Sequence, residues 1–149
     1  TRMFALVIGI DKYKSPKVDD LGGCVHDAKS FAALLSERFN VPDSQLSILT
    51  DESATREAII SHFLTDLVQN PNIERDDTII FYYAGRGSRA EASQLLSSQE
   101  NAMETLCPHD EWLEDDHGLI PGIPGRTMNA LFRELARAKG DNIVRISDI

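Results

Sequence analysis

Cysteine, long apolar runs and basic residues are all scarce in this chain of 149 residues, and each scarcity removes a class of function. Two cysteines, Cys24 and Cys107, cannot staple a disulfide framework, and no Cys/His cluster has zinc spacing, so both are expected as reduced thiols. No apolar stretch approaches the roughly 20 residues that span a bilayer, and the first residues lack the charged and apolar blocks of a signal peptide. A soluble, cytoplasmic protein is the expectation. Fifteen Lys and Arg stand against 24 Asp and Glu, a net charge of -9, which argues against a nucleic-acid backbone or an anionic membrane as partner. A basic peptide or protein, or a metal ion, remains open. The length and an apolar share of 42% suit one core, and the whole chain, 1–149, is expected to be one domain.

What the chain does have is alternation of strand and helix signals. Phe4 to Ile10 reads as a strand buried on both faces. After a polar loop, Cys24 to Arg38 carries Ala28, Phe31, Ala32 and Leu35 at helical spacing. Leu46 to Thr50 is a second short strand. Thr55 is a plausible cap for a helix bearing Ile59, Phe63 and Leu67, which the Asn70-Pro71-Asn72 turn ends. Thr78 to Ala84 is the most strand-like run in the chain. The polar stretch from Arg89 to Glu104 is compatible with a helix or a mobile loop, and Leu106 to His109 looks extended. Thr127 can cap a helix bearing Met128, Leu131, Phe132 and Leu135, Gly140 closes it, and Asn142 to Ile146 forms a last strand. Such an order implies right-handed crossovers and an α/β fold with a mostly parallel sheet between helical layers, the first strand lying centrally.

In such a sheet functional groups gather beyond the carboxyl ends of the strands, here Asp11, Asp51, Gly85 to Ser88 and Asp148. The third strand stops at a Gly-Arg-Gly turn expected to throw Arg86 out over the sheet edge it shares with Asp148. A guanidinium stays charged at physiological pH and cannot serve as a base.

Four motifs carry a family resemblance: Ala5-Leu-Val-Ile-Gly-Ile10 with Asp11-Lys-Tyr13, Leu21-Gly-Gly-Cys-Val-His-Asp-Ala28, Tyr82-Tyr-Ala-Gly-Arg-Gly-Ser88, and Asp141-Asn-Ile-Val-Arg-Ile-Ser-Asp148. In this order they resemble the large-subunit portion of the caspase-like cysteine peptidases, closest to the metacaspases. The resemblance implies the three-layer caspase-hemoglobinase fold and a chain truncated before the small-subunit portion, with a sheet edge exposed for pairing. It also implies a dyad in which a His of a Gly-His-Gly turn activates a Cys lying two residues past the strand-ending Asp. Arg86 stands at the His position. Asp148 matches the Asp, and the nucleophile would follow Ile149, outside this sequence.

The resemblance further implies an acidic pocket for Arg or Lys side chains, with Cys24, Asp27 and Asp148 at matching positions and Ala84 where several members have Ser. Arg86 folding over into that pocket is a further possibility. Many metacaspases need calcium. Cys107-Pro-His-Asp110 matches the motif that precedes the calcium-binding segment, so Asp110 is one weak ligand, but Gly125 and Arg126 fall where the later carboxylates belong, and Asp115 and Asp116 are out of register. A degenerate site and no cofactor are expected.

Three readings follow. The first is a domain that has lost peptidase chemistry and acts as a binding or regulatory module. The second is a cysteine endopeptidase cleaving after Arg or Lys, its nucleophile lying beyond residue 149. The weakest is a small-molecule-binding doubly wound domain, which lacks the Gly-rich loop after the first strand. His26, two residues from Cys24 on a helix, cannot form a dyad with it. His62 and His109 are given no role, and Cys107, before a proline, is expected to be structural.

Overall fold

The computed structural model describes residues 2–89 and 104–149. Most of the stretch between Arg89 and Glu104, which the sequence leaves open between helix and loop, therefore lies outside the described residues. The main sheet has four parallel strands in the order β2-β1-β3-β8: β1 is Met3–Gly9, β2 Leu46–Thr50, β3 Thr78–Ala84 and β8 Ile143–Asp148. Both β1 and β3 are inner strands, which is why they read as continuous apolar runs.

Strand geometry then sorts the residues by parity. Phe4, Leu6 and Ile8 of β1 and Ile79, Phe81 and Tyr83 of β3 face one way, toward α2 (Arg56–His62) and α3 (Gly125–Lys139). Ala5, Val7, Ile80, Tyr82 and Ala84 face the other, toward α1 (Cys24–Phe39) with its buried Ala28 and Leu35. Three layers result. On the two-helix side Phe63, Phe81 and Phe132 form a ring cluster with centroids 5.1 to 5.8 Å apart; Phe132 meets both other rings edge-to-face, a geometry worth about 0.5–1.5 kcal/mol per pair beyond burial. On the other side α1 approaches β1 so closely that a Cβ on Gly9 would lie 2.6 Å from the Ala28 methyl and 2.7 Å from the Cys24 carbonyl. Only glycine fits there.

The elements foreseen from periodicity are present, with three adjustments. The last helix begins at Gly125, not after a cap at Thr127, because the Pro124 carbonyl accepts the amides of both Thr127 and Met128 and so starts the helix earlier. Helix α2 is capped by the Thr55 hydroxyl as expected, but it widens into a π turn over Phe63–Val68, where the Gln69 amide reaches back to the Leu64 carbonyl. Of the extended stretch at 106–109 only its start is a strand. β5 (Glu104–Leu106) pairs antiparallel with β4 (Gly87–Arg89), and a two-residue hairpin, β6 (Glu114–Asp115) with β7 (Gly118–Leu119), follows. Among the described residues no helix is long and apolar enough to cross a membrane.

Candidate functional site

The parallel sheet delivers Asp11, Asp51, Gly85 and Asp148 to one edge. Helix α1 starts there at Gly23, whose φ of 99° and missing side chain leave the first amides uncapped locally. Asp11 supplies the cap from a distance: its two carboxylate oxygens accept the amides of Cys24 at 2.8 Å and Val25 at 3.2 Å. Asp51 in turn accepts the amides of Asp11 and Lys12, and Asp20 accepts that of Tyr13. The loop after β1 is thus strung on three carboxylates, a role sequence reasoning did not assign. The only signal was the position of Asp11 and Asp51 beyond strand ends; Asp20, late in the loop, gave none.

This cap fixes Cys24 beside Asp27 and the end of β8. Burial, then Asp11, Asp148 and Asp27 in turn, push the Cys24 thiol up to about 11. The Tyr82 phenol is likewise raised, by burial first and then by Asp27 and Asp148, and its ring stacks on Phe31 at 4.6 Å. Cys24, Asp27 and Asp148 therefore lie together where the resemblance puts an acidic recess, beside the stacked rings of Tyr82 and Phe31. Ala84 pairs with Asp148 across β3 and β8 and is fully buried in the same apolar cluster as Cys24. Carboxylates grouped in this way accept charge-assisted hydrogen bonds and favour a guanidinium or an ammonium.

The Gly85–Gly87 turn borders the recess. The Arg86 amide donates to the Tyr13 hydroxyl at 2.8 Å, and the Tyr83 hydroxyl donates to the Arg86 carbonyl at 2.6 Å while accepting the Cys107 amide at 3.2 Å. Burial pushes Tyr13 up to about 12 and Tyr83 well above its ordinary range, so both phenols stay protonated as hydrogen-bonding posts. Contrary to the expectation of a side chain projecting freely over the edge, Arg86 Nε donates to the Asp19 carbonyl at 2.7 Å, on the loop between β1 and α1. Nor does any described hydrogen bond carry it to Asp27 or Asp148. Its guanidinium lines a separate cleft of about 310 Å³ with Lys17, Asp19, Cys107, Glu111 and Trp112. Cys107 is buried, and burial followed by Glu111 drives its thiol far up, which makes it structural. Gly85 donates to the Asp148 carbonyl, and a Cβ on Gly87 would fall 2.5 Å from the Ile149 side chain, so the end of β8 lies against the turn.

Two carboxylates of the segment matched to calcium binding accept backbone amides. One Asp110 oxygen accepts the Arg56 amide at 2.9 Å, and one Asp115 oxygen accepts the His117 amide. Gly125 and Arg126 sit in the first turn of α3. Among the described residues no three His, Cys, Asp or Glu side chains come together to hold a metal. His109 is buried, with Nδ1 2.6 Å from the Lys12 carbonyl.

Comparison with known proteins gives one consistent family. The family model described as metacaspase, peptidase C14 domain, matches residues 4–139. Metacaspase-1 of Meyerozyma guilliermondii is 33% identical over 88% of this chain and 34% of its own length, and Metacaspase-4 of Arabidopsis thaliana is 30% identical over 80% and 29%. The chain thus spans about a third of these relatives. A solved structure from Geobacter sulfurreducens superposes with a TM-score of 0.71, covering 99% of this chain and 50% of that one at 21% identity, a likeness of fold.

Proposed function

This chain belongs to the metacaspase family, peptidase C14, and from that premise we propose that its domain binds basic peptides without cleaving them. One observation carries this reading: Arg86 occupies the turn where the family places its general base. A histidine there would take the proton of an attacking thiol and hand it to the leaving amine. A guanidinium, already fully protonated, does neither. The acidic recess is unaffected by that change. Asp27 and Asp148 keep the acceptors for an Arg or Lys side chain, so recognition outlasts chemistry and the domain acts as a pseudopeptidase with a regulatory or binding role.

The test uses one peptide in two assays. A fluorogenic peptide with Arg before the fluorophore is expected to show no release, with or without calcium, while binding saturably in fluorescence anisotropy. Replacing both Asp27 and Asp148 by Asn is expected to weaken that binding by at least about tenfold, since each carboxylate contributes a charge-assisted hydrogen bond. Hydrolysis by the protein with Arg86 intact would overturn the reading.

A second reading, cysteine-type endopeptidase cleavage after Arg or Lys, draws on Ile149 lying against Gly87. A cysteine following Ile149 would enter the same corner, and Arg86 would depress its pKa. Labelling of such a cysteine by a thiol-directed inhibitor, together with turnover, would favour this alternative.

A further inference from the structure

We infer that Arg86 makes this edge a receptor for the free C-terminal carboxylate of peptides that end in Arg or Lys, an inference that rests on the reading of the acidic recess given above. The Gly85–Gly87 turn separates two regions of the edge, one acidic and one in which Lys17 and Arg86 are balanced by Asp19 and Glu111. On the α1 side lie Asp27, Asp148 and Asp11 around Cys24. On the other side Arg86 and Lys17 line the cleft of about 310 Å³, with Trp112, 48% exposed, as an apolar wall.

Arg86 is poised rather than paired. Its hydrogen bond through Nε goes to a neutral carbonyl, that of Asp19, and among the described residues no carboxylate forms an ion pair with it, in contrast to Arg2, Lys12 and Arg137. Among the described residues no hydrogen bond is made by its two terminal nitrogens, which we take to be the donors to the ligand. Of the two acids lining the cleft, Glu111 is hydrogen-bonded to the Cys107 thiol and the Gly122 amide, and Asp19 is exposed, its backbone carbonyl holding Arg86 Nε. The backbone at Arg86 is pinned by Tyr13 and Tyr83, which fixes the point from which its side chain leaves the turn.

A guanidinium presents a fork of donors that matches a carboxylate, and chain-terminal carboxylates are a recurring target of such capture. A peptide ending in Arg or Lys offers both charges in order: its side chain to the carboxylates, its terminus to Arg86. A continuing chain, or an amidated end, gives Arg86 only a neutral carbonyl. The substitution that removes the base thereby selects cleaved ends over uncleaved chains.

Calorimetry on the intact protein with Gly-Gly-Arg carrying a free carboxylate, and with its C-terminal amide, tests this. The free acid is expected to bind at least about tenfold tighter than the amide. Arg86→Gln is expected to abolish that preference while leaving amide binding in place, and Arg86→Lys to retain part of it. Retained amide binding shows that the variant is folded. Equal affinity for acid and amide would overturn the inference and leave the recess reading intact. Failure of both peptides to bind would overturn the two together, and a preference that survives Arg86→Gln would remove Arg86 from the role.

Discussion

Cys24 sits in the first turn of α1, a place that ordinarily lowers a thiol pKa. Here the effect is cancelled, because the amides that would stabilise a thiolate are taken by Asp11, and Asp11, Asp27 and Asp148 act in the same direction as burial. With the thiol raised from 9.0 to about 11, its alkylation by iodoacetamide is expected to be slow at neutral pH and to climb about tenfold per unit toward pH 11, read by mass spectrometry. Asp27→Asn is expected to move the midpoint down. The linkage has a definite sign: the unfolded thiol loses its proton first, so this group's share of stability is complete below pH 9 and falls as pH rises through about 11. A midpoint below 9 would contradict this account of the Cys24 surroundings. Arg86 offers a parallel lesson. Its departure from the family's base was plain in the sequence, whereas its bond to Asp19, 67 residues away in the chain, depends on how the loop after β1 folds back over the edge.

Helix α2 shows the same borrowing between distant segments. The Thr55 hydroxyl accepts the Ala58 amide, and Asp110, far along the chain, accepts the Arg56 amide. Asp110→Ala is expected to cost about 1 kcal/mol in urea unfolding, the usual worth of a cap, with Asp110→Asn retaining most of it. Because Asp110 is engaged in this way, about 1 mM calcium is expected to leave the melting temperature unchanged, whereas a micromolar site would add about 4 kcal/mol. A calcium-dependent rise lost in Asp110→Ala would make it a ligand. Elements were legible where one residue type dictates the outcome: β1 and β3 from runs buried on both faces, α1 from its 3.6-residue spacing, α2 from Thr55. They were not where the cause is tertiary. The π turn at Phe63–Val68 packs rings from β3 and α3, and β4 with β5 forms from segments too short to show periodicity. That Asp27 and Asp148 come close to Cys24 was legible through the motifs, but the placing of Tyr13, Glu111 and Trp112 around Arg86 followed only from the fold.

At the scale of the molecule, charge and topology act together. A net charge of -9 leaves like charges repelling across the surface, while the parallel order of β2-β1-β3-β8 gathers Asp11, Asp27, Asp51 and Asp148 at one end. The outer edge of β8, with Val144 exposed, has no strand partner among the described residues. The concentrated negative end is expected to steer basic peptides toward the recess, and added salt works on both consequences. Screening shortens from about 10 Å at 0.1 M to about 3 Å at 1 M, which relieves self-repulsion and weakens steering at once. Raising sodium chloride from about 0.05 to about 0.5 M is therefore expected to increase the melting temperature by a few degrees while slowing association of an Arg-terminated peptide several-fold in stopped-flow. Dissociation should change less, because contacts inside the recess are closer than the screening length. An association rate indifferent to salt would mean that the acidic end of the sheet does not recruit the ligand, and that the charge clustered there is spent on holding the loop and capping α1 alone.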